Sequence, residues 1–552
     1  MGGVTPAIII LGQGSLTTAR RIQAALPGAV IHGLSGRVEG ADQTYAEFGS
    51  TLREFYQRNT PIVALCAAGI VIRSLASLLV SKRAEPPVLA VAEDGSAVVP
   101  LMGGLSGVND LARLIASGLG VKPAITTSGE IRFSATFEQA PKGYSVANPQ
   151  ATKSFMSNLL AGKGLFIEGD APFLDRSRLS HDPDGALRLT VTPHMRDPQP
   201  DQLVYHPHCV VVAATGNWDR IHDLLSGYDL SPLSVAYVAQ SEAASVFGSW
   251  PVRLVPGTPS PLDMVRQAVA DPVNIYDDGA VAIAVARSPQ DVALIGHPRG
   301  RLAVVGLGPG APDFQAPAVK AELSKAGHII GYETYVTMAG PFRPDQVVHA
   351  SDNRVEMERS RHAFTLAAQG EHVVVVSSGD PGVFAMATAV IEALHQSDDP
   401  VWHGVELVIL PGISAAQSAA AKAGAPLGHD FCVLSLSDNL KPWEVIETRL
   451  ELAAKADLVL SFYNPVSKAR PWQLGRALEI VRAHRSGEVP VVLGRDVGRP
   501  AETMIVTTLA ALRPEQVDMR TVVIIGSSAT QTFPRADGGV WTYTPRWYGE
   551  RV

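Results

Sequence analysis

The sequence predicts a multidomain α/β protein, and three observations carry that expectation. The chain has 552 residues, room for three or four domains at about 150 residues each. Short β-branched runs alternate with longer amphipathic stretches along its length, the pattern of largely parallel sheets covered by helices. Most of those runs end in Gly- or Ser-rich turns, where a strand passes into a helix.

The strands read in order as Ala7–Leu11, Ile62–Ala64, Val88–Val91, Val210–Ala213, Leu302–Val305, His328–Ile330, Val373–Val376, Leu407–Ile409, Leu458–Leu460, Val491–Leu493 and Thr521–Ile525. AVAEDGSAVVPL reads as a hairpin with Asp94-Gly95 in its turn. Three breaks divide the first three hundred residues from each other and from the rest: Pro141–Gly143, the polar Pro-rich RDPQPDQ before Gln202, and the turn-rich Ser288 to Arg301. The expected units are 1–142, 143–201, 202–300, 301–417 and 418–552.

Composition narrows the function. Against 46 Lys+Arg stand 53 Asp+Glu, a net charge of −7, which argues against nucleic acid held by bulk charge but leaves room for a local basic pocket. Cys66, Cys209 and Cys432 are far apart with no CxxC pair, so neither a zinc knuckle nor a disulfide framework is expected. The opening MGGVTPAIIILGQGS has no basic leader, and no run approaches the ~18 apolar residues of a membrane helix. The expectation is a soluble cytoplasmic enzyme with no membrane partner. His206 and His208 lack a neighbouring carboxylate or third His, so no metal is assigned. Asp182-Pro183-Asp184-Gly185 reads as a turn, since the twelve-residue calcium pattern is missing.

The chemistry concentrates after residue 301. Strand Leu302–Val305 enters Gly306-Leu307-Gly308-Pro309-Gly310, and a helix is expected from Pro317. Glycines there let backbone approach a ligand. The GxGxG spacing, interrupted by Pro309, departs from the GxGxxG of nicotinamide dinucleotide sites. Strand Val373–Val376 ends in Ser377-Ser378-Gly379-Asp380-Pro381-Gly382-Val383-Phe384, with an acid where α/β proteins bind ligands. Ser414 of Leu410-Pro411-Gly412-Ile413-Ser414 is placed to cap a small-residue helix. Phe462-Tyr463-Asn464-Pro465 and Gly494-Arg495-Asp496-Val497-Gly498-Arg499 follow two further strands. Each alone is ordinary turn chemistry, but five at strand ends point to one shared cleft.

VVGLGPG, GYETYV, SSGDPGVFAMA, LPGISAAQSAAAKAGAPLGHDFCVLSLSDNLKPWEVIETRL, FYNPVSKARPWQL and the closing TPRWY together resemble the tetrapyrrole (corrin) methylase family over residues 302–548. The resemblance implies two α/β/α lobes, about 302–417 and 418–545, with S-adenosyl-L-methionine in the cleft between them, and a homodimer. Position by position it implies a cofactor site of Pro309, Ser378, Gly379, Asp380, Val383, Ser414, Ala415, Asn464 and Gly498. Tyr332 stands where some relatives carry an acid, so no proton-acceptor role passes to it. The implied substrate is a precorrin macrocycle fringed by carboxylates, which need Arg or Lys partners. Gly308, Arg354, Arg359 and Lys441 are the substrate-side candidates, while Arg359 and Arg361 fit a solvated helix face equally well.

The implied reaction is methylation at C17 with ring contraction. In-line transfer from a sulfonium needs alignment and exclusion of water rather than a nucleophilic side chain. Contraction also removes a hydroxyl proton, which asks for a base within hydrogen-bond reach. Asp380, Glu333 and His429 are the candidates, and His429 reads equally as part of a polar turn.

The first 140 residues resemble the N-terminal domain of the cobalt-precorrin-5A hydrolase family, through CAAGIVIRSLASLLVSKRAEPPVLAVAEDGSAVVPLMGGLSGVNDLARLIASGLG and PAITTSGE. Residues 145–200 resemble that family's middle domain, and 205–300 a degenerate copy of its C-terminal one. Gly104 replaces a His usual in the family, and Ala214-Thr215-Gly216-Asn217-Trp218-Asp219 replaces a Gly-Cys-Arg-rich loop. Loss of an imidazole weakens the hydrolase role, while Arg73, Asn109 and the Gly-rich loop remain able to bind carboxylates. Two readings stand for this half: a lactone hydrolase, making the chain bifunctional in the cobalt-first branch, or a non-catalytic corrinoid-binding module.

Overall fold

A computed structural model of the chain describes residues 5–79, 85–138, 140–215, 218–241, 250–343, 345–352, 355–467 and 471–547. The first sheet runs, in spatial order, Gln43–Tyr45, Val30–Leu34, Ala7–Ile10, Ile62–Leu65, Val88–Val91 and Val98–Met102. Five strands are parallel, and the sixth returns antiparallel through the hairpin expected at Asp94-Gly95. Its central strand shows why the apolar runs are continuous. Ile8 and Ile10 pack with Ile22, Leu111 and Ile115 on one face, and Ile9 packs with Leu52, Tyr56 and Leu75 on the other.

The second sheet is Tyr144–Val146, Gln202–Pro207, Leu187–Val191 and Leu165–Glu168. This corrects a boundary. Gln202–Pro207 does not open a third unit, because it pairs parallel with Leu187–Val191 and antiparallel with Tyr144–Val146. The polar RDPQPDQ stretch is the crossover that a parallel pair requires. The third sheet has Val210–Ala214 near its centre, and its edge strand His297–Pro298 leads almost directly into Arg301–Gly306.

The fourth sheet is wholly parallel, in the order Val347–Ser351, His328–Tyr332, His372–Ser377, Arg301–Gly306 and Glu406–Leu410. The fifth departs from the parallel expectation. Phe431–Ser435 pairs parallel with Val459–Tyr463, but Thr521–Ile525, Pro490–Arg495 and Thr503–Thr508 join antiparallel. A short loop links Pro490–Arg495 to Thr503–Thr508, and a connection that short closes only an antiparallel pair. A small sheet of Gly424–Ala425, Val540–Tyr543 and Gln531–Pro534 completes the second lobe.

The N-terminal half is anchored at the edge of the fourth sheet where its strands begin. Arg299 Nε donates to the Gly404 carbonyl at 2.7 Å. Arg301 bonds Glu322 at 2.5 Å and also Glu406, while His372 Nε2 lies 2.7 Å from Glu322. Burial alone would raise the Glu322 carboxyl, but the bonds from Arg301 and His372 outweigh it and hold it below the usual range.

His32, 7% exposed on Val30–Leu34 and 4.8 Å from the Phe55 ring, is pushed down to about 4 by burial, with Asp42 opposing in part. Folded His32 therefore stays neutral where the unfolded chain takes up a proton. Its contribution to stability is full above the ordinary value of 6.5 and is lost as pH falls toward about 4. Intrinsic-rate-corrected hydrogen exchange at residues 30–34 is expected to show protection falling across that window, and His32→Phe to flatten the slope.

Candidate functional site

At the opposite edge, where the strands of the fourth sheet end, three loops meet backbone to backbone. Gly308 and Gly379 exchange both hydrogen bonds, at 3.1 and 2.8 Å. A Cβ on Gly306 would lie 2.5 Å from the Gly379 carbonyl oxygen and 2.8 Å from the Gly412 nitrogen, so no side chain fits there. Asp380 ties the arrangement: one carboxylate oxygen accepts the Gly382 N–H at 2.8 Å, the other the Gly412 N–H at 3.1 Å.

The remaining positions collect around this junction. Ser414 caps helix Ala415–Ala423 in a reciprocal capping box with Gln417, as its sequence position suggests. Its backbone lies against Gly379, within 3.8 Å of where a Cβ would be. Val383 N–H donates to the Asp380 carbonyl at 3.3 Å. From the second lobe, the Tyr463 hydroxyl accepts the Ala416 N–H at 2.8 Å, and Asn464 donates to Ser435 Oγ at 3.0 Å. A Cβ on Gly498 would touch the Pro309 ring at 3.0 Å. Gly379, Asp380, Gly412 and Ser414 thus meet at one junction, and Pro309 of the neighbouring loop lies against Gly498.

The substrate-side and base candidates divide. Lys441 Nζ sits 5.9 Å from the Phe384 ring, which is 5.5 Å from the Tyr463 ring. Burial and the nearby Arg449 charge lower the Lys441 ammonium. Glu333 is exposed at the end of His328–Tyr332, on the cleft edge of the sheet. Arg354 lies outside the described residues, as do Gly216 and Asn217 of the N-terminal loop.

Three expectations are corrected. Arg359 is 4% exposed, with Nε on Ser351 Oγ at 3.0 Å and Nη2 on the Asp352 carbonyl at 2.6 Å. It is a fold-building residue, not a surface carboxylate partner or a solvated helix face. Gly308 is buried and its N–H is given to the Gly379 carbonyl, leaving no backbone donor for a substrate carboxylate. His429 precedes Phe431–Ser435, whereas Ser435 at that strand's other end bonds Asn464. A five-residue strand of roughly 3.3 Å per residue separates that imidazole from the cleft. Its Nδ1 accepts the Asp430 N–H at 2.7 Å.

Other cleft residues were not singled out from sequence. Arg499 crosses between the lobes, its Nε donating to the Pro309 carbonyl at 3.2 Å and its Nη2 to Ser378 Oγ at 3.1 Å. Its position in GRDVGR was the available signal. Phe384, the last residue of the Ser377–Phe384 run, is 52% exposed with φ of 53°. A bulky residue in left-handed backbone points to function.

The donor set suits S-adenosylmethionine. Hydroxyls, backbone groups, an amide and two aromatic rings fit a nucleoside bearing a small zwitterion, and the loop glycines are spent on one another rather than forming a phosphate cradle. In the N-terminal half, Gly104 is exposed with open space around it, and Gly103 N–H donates to Glu85 at 3.4 Å. His206 Nδ1 lies 2.8 Å from the Thr192 carbonyl, and His208 Nε2 lies 2.8 Å from Ser145 Oγ.

Comparison with known proteins adds to this geometry. The family model for tetrapyrrole (corrin/porphyrin) methylases matches residues 301–513, and that for the cobalamin synthesis G N-terminal region matches 50–130. Precorrin-3B C(17)-methyltransferase of Sinorhizobium sp is 50% identical over 249 residues, covering 45% of this chain and 97% of that protein. The cobalamin biosynthesis protein CobIJ of Mycobacterium tuberculosis is 49% identical over 255 residues, 46% of this chain. The match spans 49% of that relative's length. A solved structure of the methyltransferase CobJ is 50% identical, covering 45% of this chain and all of that one, with a TM-score of 0.42.

Gly306→Ala is expected to cost about 2 kcal/mol or more, because its Cβ meets backbone that has no room to yield. Gly104→Ala, with nothing within 4 Å, should change stability by less than about 0.5 kcal/mol. Urea unfolding of the two variants compares them directly.

Proposed function

The chain belongs, through its C-terminal half, to the tetrapyrrole (corrin/porphyrin) methylases, and from that premise we propose that it methylates precorrin-3B at C17, contracting the ring to precorrin-4 in cobalamin biosynthesis. The observation that carries this is the meeting of the Gly379-Asp380, Gly412 and Ser414 loops at one junction, with Gly498 of the second lobe against Pro309, in a segment 50% identical to a precorrin-3B C(17)-methyltransferase. S-adenosyl-L-methionine, when bound, supplies an electrophilic methyl group on a sulfonium.

The chain's own residues hold, align and shield. The backbone of Gly379 packs near that of Ser414-Ala415, and the Ser378 and Ser414 hydroxyls and the Asn464 amide are assigned to the cofactor. Phe384 and Tyr463 present apolar ring surface that excludes water, so that transfer competes well against solvolysis. Lys441 stands beside Phe384 as a cation for a macrocycle carboxylate. Of the base candidates, Glu333 keeps an exposed carboxylate at the cleft edge, while both Asp380 oxygens already bind backbone N–H groups. Glu333 is therefore assigned to accept the hydroxyl proton during contraction.

Homodimerisation through the methylase region belongs to the same reading. Glu406–Leu410 is an edge strand of the fourth sheet, and its Ile409 is 43% exposed. The three free thiols fit a reducing cytoplasm. For the N-terminal half we assign corrinoid binding. The match of residues 50–130 to the cobalamin synthesis G N-terminal family favours one second reading, opening of the cobalt-precorrin-5A lactone. Incubation with that lactone separates the two: water addition in the product mass supports hydrolysis, and binding without a mass change supports the module.

Purified protein given S-adenosylmethionine and precorrin-3B, with and without cobalt, is expected to yield a product heavier by one methyl group; an unchanged macrocycle mass rejects the assignment. Lys441→Met is expected to raise KM for the macrocycle several-fold and to weaken its salt dependence, leaving S-adenosylhomocysteine affinity unchanged.

A further inference from the structure

Arg499 joins two parts of the molecule that the chain order keeps apart. It leaves the second lobe just after Asp496, whose carboxylate is 1% exposed and whose φ is 49°. Asp496 binds Arg495 at 3.0 Å and Arg520 at 2.5 Å, so its charge is already met, and Arg499 Nη1 stands further off at 3.9 Å. The Arg499 guanidinium instead reaches into the first lobe. Nε donates to the carbonyl of Pro309, in the loop after the first strand, and Nη2 to Ser378 Oγ, in the loop after the fourth.

The fit is close along the whole stem. A Cβ on Gly310 would lie 2.8 Å from Arg499 Cγ, and one on Gly498, at φ 78°, would meet the Pro309 ring. Side chains at either position would hold the lobes apart. A planar guanidinium is suited to this task because its donors leave in fixed directions, whereas an ammonium fixes no second partner. At Ser378 the consequence is specific. Its oxygen accepts from a cation, so its own hydrogen is the group left to point at a ligand.

Resting on the methyltransferase reading above, we propose that Arg499 is a positioning residue that locks the two lobes in register and orients the Ser378 hydroxyl toward the methyl donor. It touches neither the reacting methyl nor the macrocycle carbon. Its loss acts through Pro309 and Ser378, and it bears on donor binding more than on macrocycle binding.

Calorimetric titration of the full chain with S-adenosylhomocysteine tests this without turnover. Arg499→Met is expected to weaken binding about tenfold or more. Arg499→Lys should recover part of that loss, since one of the two bonds can re-form. The effect of Arg499→Met should shrink in a Ser378→Ala background, because the two act as a unit. In turnover, KM for the donor should rise while KM for the macrocycle holds. If Arg499→Met melts early, Arg499→Lys carries the same comparison, with the charge beside Asp496 kept. Affinity within twofold of the parent protein in the folded variants, or an equal loss with and without Ser378, overturns the proposal. Should the parent protein itself fail to bind S-adenosylhomocysteine, the methyltransferase reading falls and takes the role of Arg499 with it. Binding by the parent together with undiminished variants removes Arg499 alone.

Discussion

Everything about the cleft follows from three backbone segments meeting without side chains between them. Gly306, Gly379 and Gly412 approach so closely that one methyl group at 306 would strike main chain on two sides. Such an approach buries peptide groups, and each left unpaired would cost about 1–3 kcal/mol. The molecule meets that demand locally: Gly308 and Gly379 pair with each other, and Asp380 takes the amides of Gly382 and Gly412. Asp380 is thereby more clasp than reagent. On the proposed reading, what polar capacity Ser378, Ser414 and Asn464 keep beyond their own protein bonds serves the ligand, and Phe384 and Tyr463 supply apolar ring surface. A site of this make-up favours a compact zwitterionic nucleoside over a polyphosphate.

The two lobes contribute unequally. The first, wholly parallel, supplies the ends of its strands and their Gly-rich turns. The second supplies a smaller number of contacts across the gap: Tyr463 to the Ala416 amide, Gly498 against Pro309, and Arg499 to Pro309 and Ser378. The short loop between Pro490–Arg495 and Thr503–Thr508 accounts for one antiparallel strand of its mixed sheet, and Thr521–Ile525 runs antiparallel to both its neighbours. That loop carries Gly498 and Arg499 to the first lobe, where they meet Pro309 and Ser378.

The N-terminal half meets the far edge of the same parallel sheet through Arg299, which donates to the Gly404 carbonyl, and through Gly300, whose carbonyl accepts the Glu406 N–H. The six-residue strand Arg301–Gly306, roughly 17 Å from its first to its last Cα at about 3.3 Å per step, separates that junction from the cleft. On the proposed reading, linkage of the two halves supplies local concentration, since a released macrocycle would start its search close to the other half.

Sequence alone determined the α/β class, the strands that form the sheet centres, the hairpin at Asp94-Gly95, the Ser414 cap and the five strand-end motifs, because each rests on residues near one another in the chain. Periodicity, turn chemistry and capping are local, so they survive without coordinates. Tertiary structure decided the rest. It assigned Gln202–Pro207 to the second sheet, turned Arg359 inward, spent Gly308 on Gly379, set His429 at the wrong end of its strand and brought Arg499 across 121 residues to Ser378. The reason is common to all five. Whether a guanidinium, an imidazole or a glycine amide is free for a ligand depends on which distant partner has already satisfied it, and that partner is fixed by packing between elements, not by spacing within one.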